Sequence, residues 1–172
     1  MTLQEIETEV RQLAARIQAP ENLLPSFGRH MEDAHPHIEV DARGYHYVLE
    51  ERGIERARVT THDLGELLYK IFEGVTFSMA LRDERSHRVR GRDSRRYYFR
   101  RQLELLSKLC PEWAGRQAER HERILRDHPF DDAADIRADL SVEYRNQGHP
   151  PEAAWQMACE QYPLPAPATD DN

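Results

Sequence analysis

The side chains in this sequence whose types could do chemistry are nine histidines, two cysteines and a dense run of arginines. Metal ligation is the first chemistry to weigh. His35-Pro36-His37 brings two imidazoles close together, but the proline breaks regular spacing and no His-x-x-x-His pair on a helix follows. His121 and His128 are seven apart on a helical pattern, beside Glu122 and Asp127, with no third and fourth ligand indicated. The spacing predicts no metal site and no cofactor, and the histidines read as solvated or hydrogen-bonded. Nucleophilic chemistry has as little support: there is no Gly-x-Ser-x-Gly, and the serines have no recognisable base at hand. Cys110 with His121 is a thiol–imidazole pair to consider, but a cysteine between a helix end and Pro111 suits a structural place better. No glycine-rich phosphate loop occurs, and no carboxylate pair stands out from an acid-rich surface. The expectation is a protein that binds rather than catalyses.

Charge narrows the class of partner. The net charge of -7 disfavours a general nucleic-acid binder and suits a partner carrying positive charge. Residues 82–101 run the other way, with nine arginines against three acids, so +6 falls in that segment and -13 elsewhere. Arginines interleaved with Tyr97, Tyr98 and Phe99 can hold single-stranded nucleic acid by phosphate contact and stacking. Arg92, Arg95, Arg96 and Tyr97 are therefore the residues of an alternative reading, a nucleic-acid-binding or regulatory adaptor. Tyr98, Leu105 and Leu109 follow helical spacing, however, which places part of the aromatic set in a core and leaves the arginines to pair with acids elsewhere in the chain. Nucleic acid is thus the less favoured partner. Two isolated cysteines make no disulfide framework. No apolar run approaches the ~20 residues of a membrane span, and the acidic, amphipathic start MTLQEIETEV is unlike a signal peptide. Both point to the cytoplasm and away from a membrane.

The elements that must position these groups predict one α+β domain over residues 1–163, a three-stranded antiparallel meander packed against a mainly helical body. Leu3, Ile6, Val10, Leu13 and Ile17 predict a helix over 3–18, which Ala19-Pro20 ends, and residues 21–36 read as a loop. Strands over about 37–60 follow, closed by Arg43-Gly44 and Arg52-Gly53; Asp41-Ala42-Arg43-Gly44 fits a three-residue hairpin loop. Alternation puts Tyr45, Tyr47 and Leu49 on a face covered by helices, and His46, Val48 and Glu50 on a mixed, partly solvated one. Thr60 opens a cap signal for a helix over 62–81, with Leu64, Leu68, Ile71, Val75 and Met79 as its apolar stripe. Further helices are predicted over 93–109, 111–127, 133–146 (Ile136 and Leu140 inward) and 151–162, and a disordered tail over 164–172.

Several blocks of this chain together resemble the immunity protein 63 family of bacterial polymorphic toxin systems: PHIEVDARGYHYVLEERG (36–53), TTHDLGELLYKIFEGVTFSMA (60–80), HRVRGRDSRRYYF (87–99), QLELLSKLCPEW (102–113) and HERILRDHPFDD (121–132). The resemblance covers about residues 23–132 with the blocks in order. This chain has Gly65 and Lys70 where the family is expected to carry acidic and aromatic residues. What the resemblance implies is an immunity protein that binds and neutralises a cognate toxin by stoichiometric protein–protein interaction, with no catalytic residues. An acidic inhibitor suits a basic toxin domain. The toxin-contact candidates are the acids of the hairpins, Glu39, Asp41, Glu50 and Glu51, with His46 on the sheet.

Overall fold

Thr2 starts the first helix by closing a capping box with Glu5: its hydroxyl accepts from the Glu5 N–H (3.3 Å) and its own N–H donates to the Glu5 carboxylate (2.7 Å). In the computed structural model, which describes residues 1–28 and 35–166, that helix, α1, spans Leu3–Arg16. The described elements continue as a 3₁₀ turn at Glu21–Leu23, strands β1 (Ser26–Phe27), β2 (Pro36–Asp41), β3 (Gly44–Glu51) and β4 (Ile54–Thr61), and helices α2 (Leu64–Ser86), α3 (Arg95–Leu109), α4 (Pro111–Asp127), α5 (Ala134–Asn146) and α6 (Pro151–Gln161). The chain divides into two compact units: residues 1–79 with 102–115, and residues 80–101 with 116–172. The part of the expected tail that covers residues 167–172 lies outside the described residues.

The first unit has an aliphatic core. Ile6, Val10 and Leu13 of α1, Ile38 of β2, Leu67, Ile71, Phe72 and Val75 of α2, and Leu105, Leu106 and Leu109 of α3 form one buried cluster. Helix α2 carries this core on more than one side, since Leu68, Tyr69 and Thr76 are buried as well while Phe77 remains partly exposed. Trp113 lies on Phe72 at 6.2 Å between centroids and 17° between planes. The cap of α2 is Asp63 rather than Thr60: its Oδ1 accepts from the N–H groups of Gly65 (2.6 Å) and Glu66 (3.2 Å).

The sheet corrects the expected three-stranded antiparallel meander. It has four strands in the order β1-β2-β3-β4 and is mixed, because β1 pairs parallel with β2 through Ser26–His37 and Phe27–Ile38. Two residues between Pro25 and Gly28 carry no periodicity, and their partner is set by packing rather than by local pattern. The other pairs are antiparallel, with Ile38 opposite Tyr47 and Glu39 opposite His46. Both hairpin loops are shorter than the expected three residues, since Asp41 pairs with Gly44 and Glu51 with Ile54. At the second, Arg52 (φ 53°) and Gly53 (φ 74°) are both left-handed, as a type I′ turn requires. On the face expected to be mixed and partly solvated, His37, His46 and Val48 are buried while Glu39 and Arg58 keep contact with solvent.

The second unit is held by polar side chains as much as apolar ones. Ala80, Phe99, Ala154 and Ala158 are buried beside Glu84, Gln117, His121, Arg137 and Ser141. On α5 the inward residues are Arg137 and Ser141, one position on from the expected Ile136 and Leu140, which are half-buried. The reason is a set of bonds at the Arg137 guanidinium: two to the Asp131 carboxylate (2.8 and 2.9 Å), one to the Tyr162 carbonyl (2.7 Å) and one to the Pro163 carbonyl (3.1 Å).

Candidate functional site

Strand alternation and register put the hairpin candidates on one face of the sheet. Two cross-strand rows matter there: His37–Val48–Arg58, and Glu39–His46–Thr60. Between Leu49 and Glu50 the β3–β4 register shifts, so Leu49 faces Ala57 while Glu50 faces Glu55 and Arg56 is the extra residue of a bulge. That bulge turns Glu55 onto the face of Arg58. Arg58 then donates to Glu55 (2.7 Å) and to Glu39 (2.7 Å), and Glu39 also meets the His37 Nε2 (3.1 Å). Hydrogen bonding to Arg58 holds the carboxyls of Glu39 and Glu55 below the usual range and raises the guanidinium above its own.

The second row is built on His46, which is 1% exposed. Its Nε2 lies 2.8 Å from Asp41 Oδ1 and its Nδ1 2.9 Å from the Thr60 hydroxyl. Asp41 is a carboxylate, held well below its ordinary value by the Arg43 guanidinium, then His46, then the Arg43 N–H. An acceptor-only carboxylate obliges Nε2 to donate, which leaves Nδ1 to the Thr60 hydroxyl. The Asp–His–hydroxyl order is that of a nucleophilic triad, but the imidazole is sealed within the sheet face, and the bonds serve to fix Asp41.

The candidates therefore divide. Glu39, Asp41 and Glu51 are surface carboxylates with arginine partners, Arg58, Arg43 (2.8 Å) and Arg56 (3.2 Å). Glu50 is half-buried at the bulge, and His46 stands behind the surface rather than on it. Arg58 was expected as a neighbour on this face, whereas Glu55 and Thr60 escaped the reading from sequence because only the bulge and the register bring them there.

The alternative basic patch is largely consumed within its own unit. Arg95 is bonded to Asp93 (2.6 Å) and to the carbonyls of His128 and Pro129 (both 2.7 Å). Burial pulls the Asp93 pKa up, but bonds from Arg95 and from the Asp131 N–H outweigh it and leave the carboxyl below its ordinary value. Arg96 pairs with Asp132 (2.7 Å) and lies over the Phe130 ring at 4.1 Å, lowering the Asp132 pKa to about 2. Tyr97 stacks on His87 at 5.0 Å. Arg92 is exposed at the rim of a hollow of about 50 Å³ that Arg88, Arg96, Tyr97 and Arg100 also line. Arg90 and Asp139 (2.7 Å) and Arg101 and Asp83 (2.7 Å) add further pairs. Among the described residues no group of three or more His, Cys, Asp or Glu could hold a metal ion. His121 is a core side chain, stacked on Phe99 at 3.8 Å and bonded to Gln117 (3.0 Å), while Cys110 donates to Glu112 (3.0 Å).

The net charge is also divided unevenly. The first unit contains nine basic and sixteen acidic residues, and the second fifteen of each, so the whole excess of -7 belongs to the unit that carries the sheet.

Residues 41–123 match the model of a family described as Immunity protein 63. Over this segment, a little under half of its length, the chain is similar to the Immunity protein 63 family. No curated protein and no solved structure matches the chain. The Immunity protein 63 segment is narrower than the resemblance over about 23–132. It opens at the end of β2 and closes within α4, taking in Asp41, His46, Glu50 and Glu51 as well as the arginine-rich stretch, and leaving Glu39 just outside. No helix among the described residues is long and apolar enough to cross a membrane.

Proposed function

We propose that this protein is an immunity protein that binds a cognate bacterial toxin domain stoichiometrically and neutralises it in the cytoplasm of the producing cell. The family match over residues 41–123 carries this reading. The concentration of negative charge in the sheet-bearing unit supports a basic toxin, because an acidic surface steers a cationic partner and speeds encounter. Glu39, Asp41, Glu50 and Glu51 are the proposed contacts, with His46 as the positioning residue for Asp41. No chemistry is asked of the protein: inhibition is by occupancy. The arginine-rich stretch is less suited to nucleic acid than its composition suggests, since Arg95 and Arg96 are already bonded to Asp93 and Asp132.

The test is capture and protection. Co-expression with the variable C-terminal toxin domain encoded beside this gene should rescue growth, and the two chains should co-purify in a one-to-one ratio. Rescue without co-purification, or failure to rescue, would sink the reading. Gel shifts with single- and double-stranded DNA and RNA at low salt should show no complex; a salt-sensitive shift lost in Arg92→Ala would favour the adaptor instead.

A further inference from the structure

Strand β4 ends the sheet, and among the described residues no strand lies along its outer side. Residues 54–60 are all exposed, so this strand is open on both faces as well as along its backbone edge. An open edge offers a row of unpaired N–H and C=O groups to any extended chain, and proteins blunt such edges with charges and bulges. Here the blunting is confined to one half. Glu55, Arg56 and the bulge between the Leu49 and Glu50 pairings protect the first half. The second half, residues 57–61, reads Ala-Arg-Val-Thr-Thr, with high β propensity, no proline and a single charge, Arg58, already neutralised by Glu39 and Glu55.

We propose that residues 57–61 of β4 pair antiparallel with the same residues of a second copy of this chain, about a two-fold axis at Val59, joining two four-stranded sheets into one. Like faces meet in such a pairing, so the axis must pass through a residue. An axis at Val59 sets Val59 against Val59, Arg58 against Thr60 and Ala57 against Thr61, with no like charges opposed. An axis at Arg58 opposes Arg58 to itself, one at Ala57 opposes Arg56 to Arg58, and one at Thr60 leaves only three residues of the segment paired. The segment is self-complementary in the Val59 register, and that register covers the Val59 side chain, which is 43% exposed. The polar network behind the edge brings its charges already paired. A five-residue ladder buries less than the ~1,200 Å² at the lower bound of standard interfaces, so the association is concentration-dependent.

Sedimentation equilibrium of the full chain, from about 5 µM to about 500 µM, should show the mass rising from 20.2 kDa toward twice that value. Val59→Lys and Val59→Glu each set like charges face to face across the axis and should weaken self-association by about tenfold or more. An equimolar mixture of the two variants should restore it, because Lys then meets Glu. A wild-type chain that stays monomeric throughout overturns the proposal, including the case in which a toxin strand is the true occupant of this edge. A Val59→Lys chain that dimerises like wild type, or a mixture of folded variants that remains monomeric, overturns it equally.

Discussion

Arg137 is the residue on which most of the second unit's polar order depends. It is 1% exposed and bonded to Asp131, Tyr162 and Pro163, so it ties α5 to the turn before it and to the chain after α6. Truncating one partner of a buried pair strands the other. Because Asp131 retains some exposure, Arg137→Ala should cost about 2–4 kcal/mol in urea unfolding, and Arg137→Lys should recover only part of that, lacking the planar fork. His121 makes a second residue-scale prediction. Burial first, and then the nearby Arg120, lower its pKa to about 4. The folded chain keeps the ring neutral where the unfolded chain protonates it, so its contribution is full above the ordinary value near 6.5, declines as pH falls, and is gone by about 4. An imidazole titration followed by NMR should place the His121 midpoint near 4, and a midpoint near 6.5 would contradict the stack on Phe99.

Among the elements, the two hairpins show how local chemistry can be right in kind and wrong in detail. Arg43-Gly44 and Arg52-Gly53 mark turns in the sequence, yet loop length follows from where the ladder closes. At Arg52-Gly53 the requirement for φ > 0 at both positions is physical rather than statistical, and Arg52 adopts it against its preference. Gly53→Ala should therefore destabilise by about 1 kcal/mol, although no neighbouring atom would touch the added methyl. Arg52→Asn should stabilise by a few tenths of a kcal/mol, asparagine being the favoured residue there. Thermal unfolding of the two variants checks both signs. Strand β1 is the opposite case: two residues with no legible pattern, held to β2 by a parallel pairing and by Gly28 N–H to Ile38 carbonyl (3.0 Å).

At the scale of the molecule, charge is the organising variable. Counted along the chain, the acid excess and the arginine-rich stretch look like two poles. Within the second unit the arginines are balanced by acids of the same unit, among them Asp132 and Asp139, and the surplus of -7 falls to the first. If that surplus steers a basic toxin, Glu50→Lys with Glu51→Lys should slow association at low salt and flatten its dependence on ionic strength. Stopped-flow association rates over a salt series measure this. Identical rates and slopes would remove the hairpin acids from the encounter surface.

The sequence by itself determined the α+β class, the order of the helices, the apolar stripes of α1 and α2, the positions of the two hairpin turns and the resemblance to the Immunity protein 63 family, because helical and strand periodicities and turn chemistry are local and survive in a linear pattern. Alternation also set His46, Val48 and Glu50 on one face of their strand, but the register that brings Glu39 beside His46 was not legible. Only the tertiary structure decided that the sheet has a fourth, parallel strand, that His46 is buried behind Asp41, that Arg58 locks Glu39 to Glu55, and that β4 is left open. Each of these depends on a register or a bulge between segments distant in sequence, and a one-residue shift would send the same side chains to the opposite face.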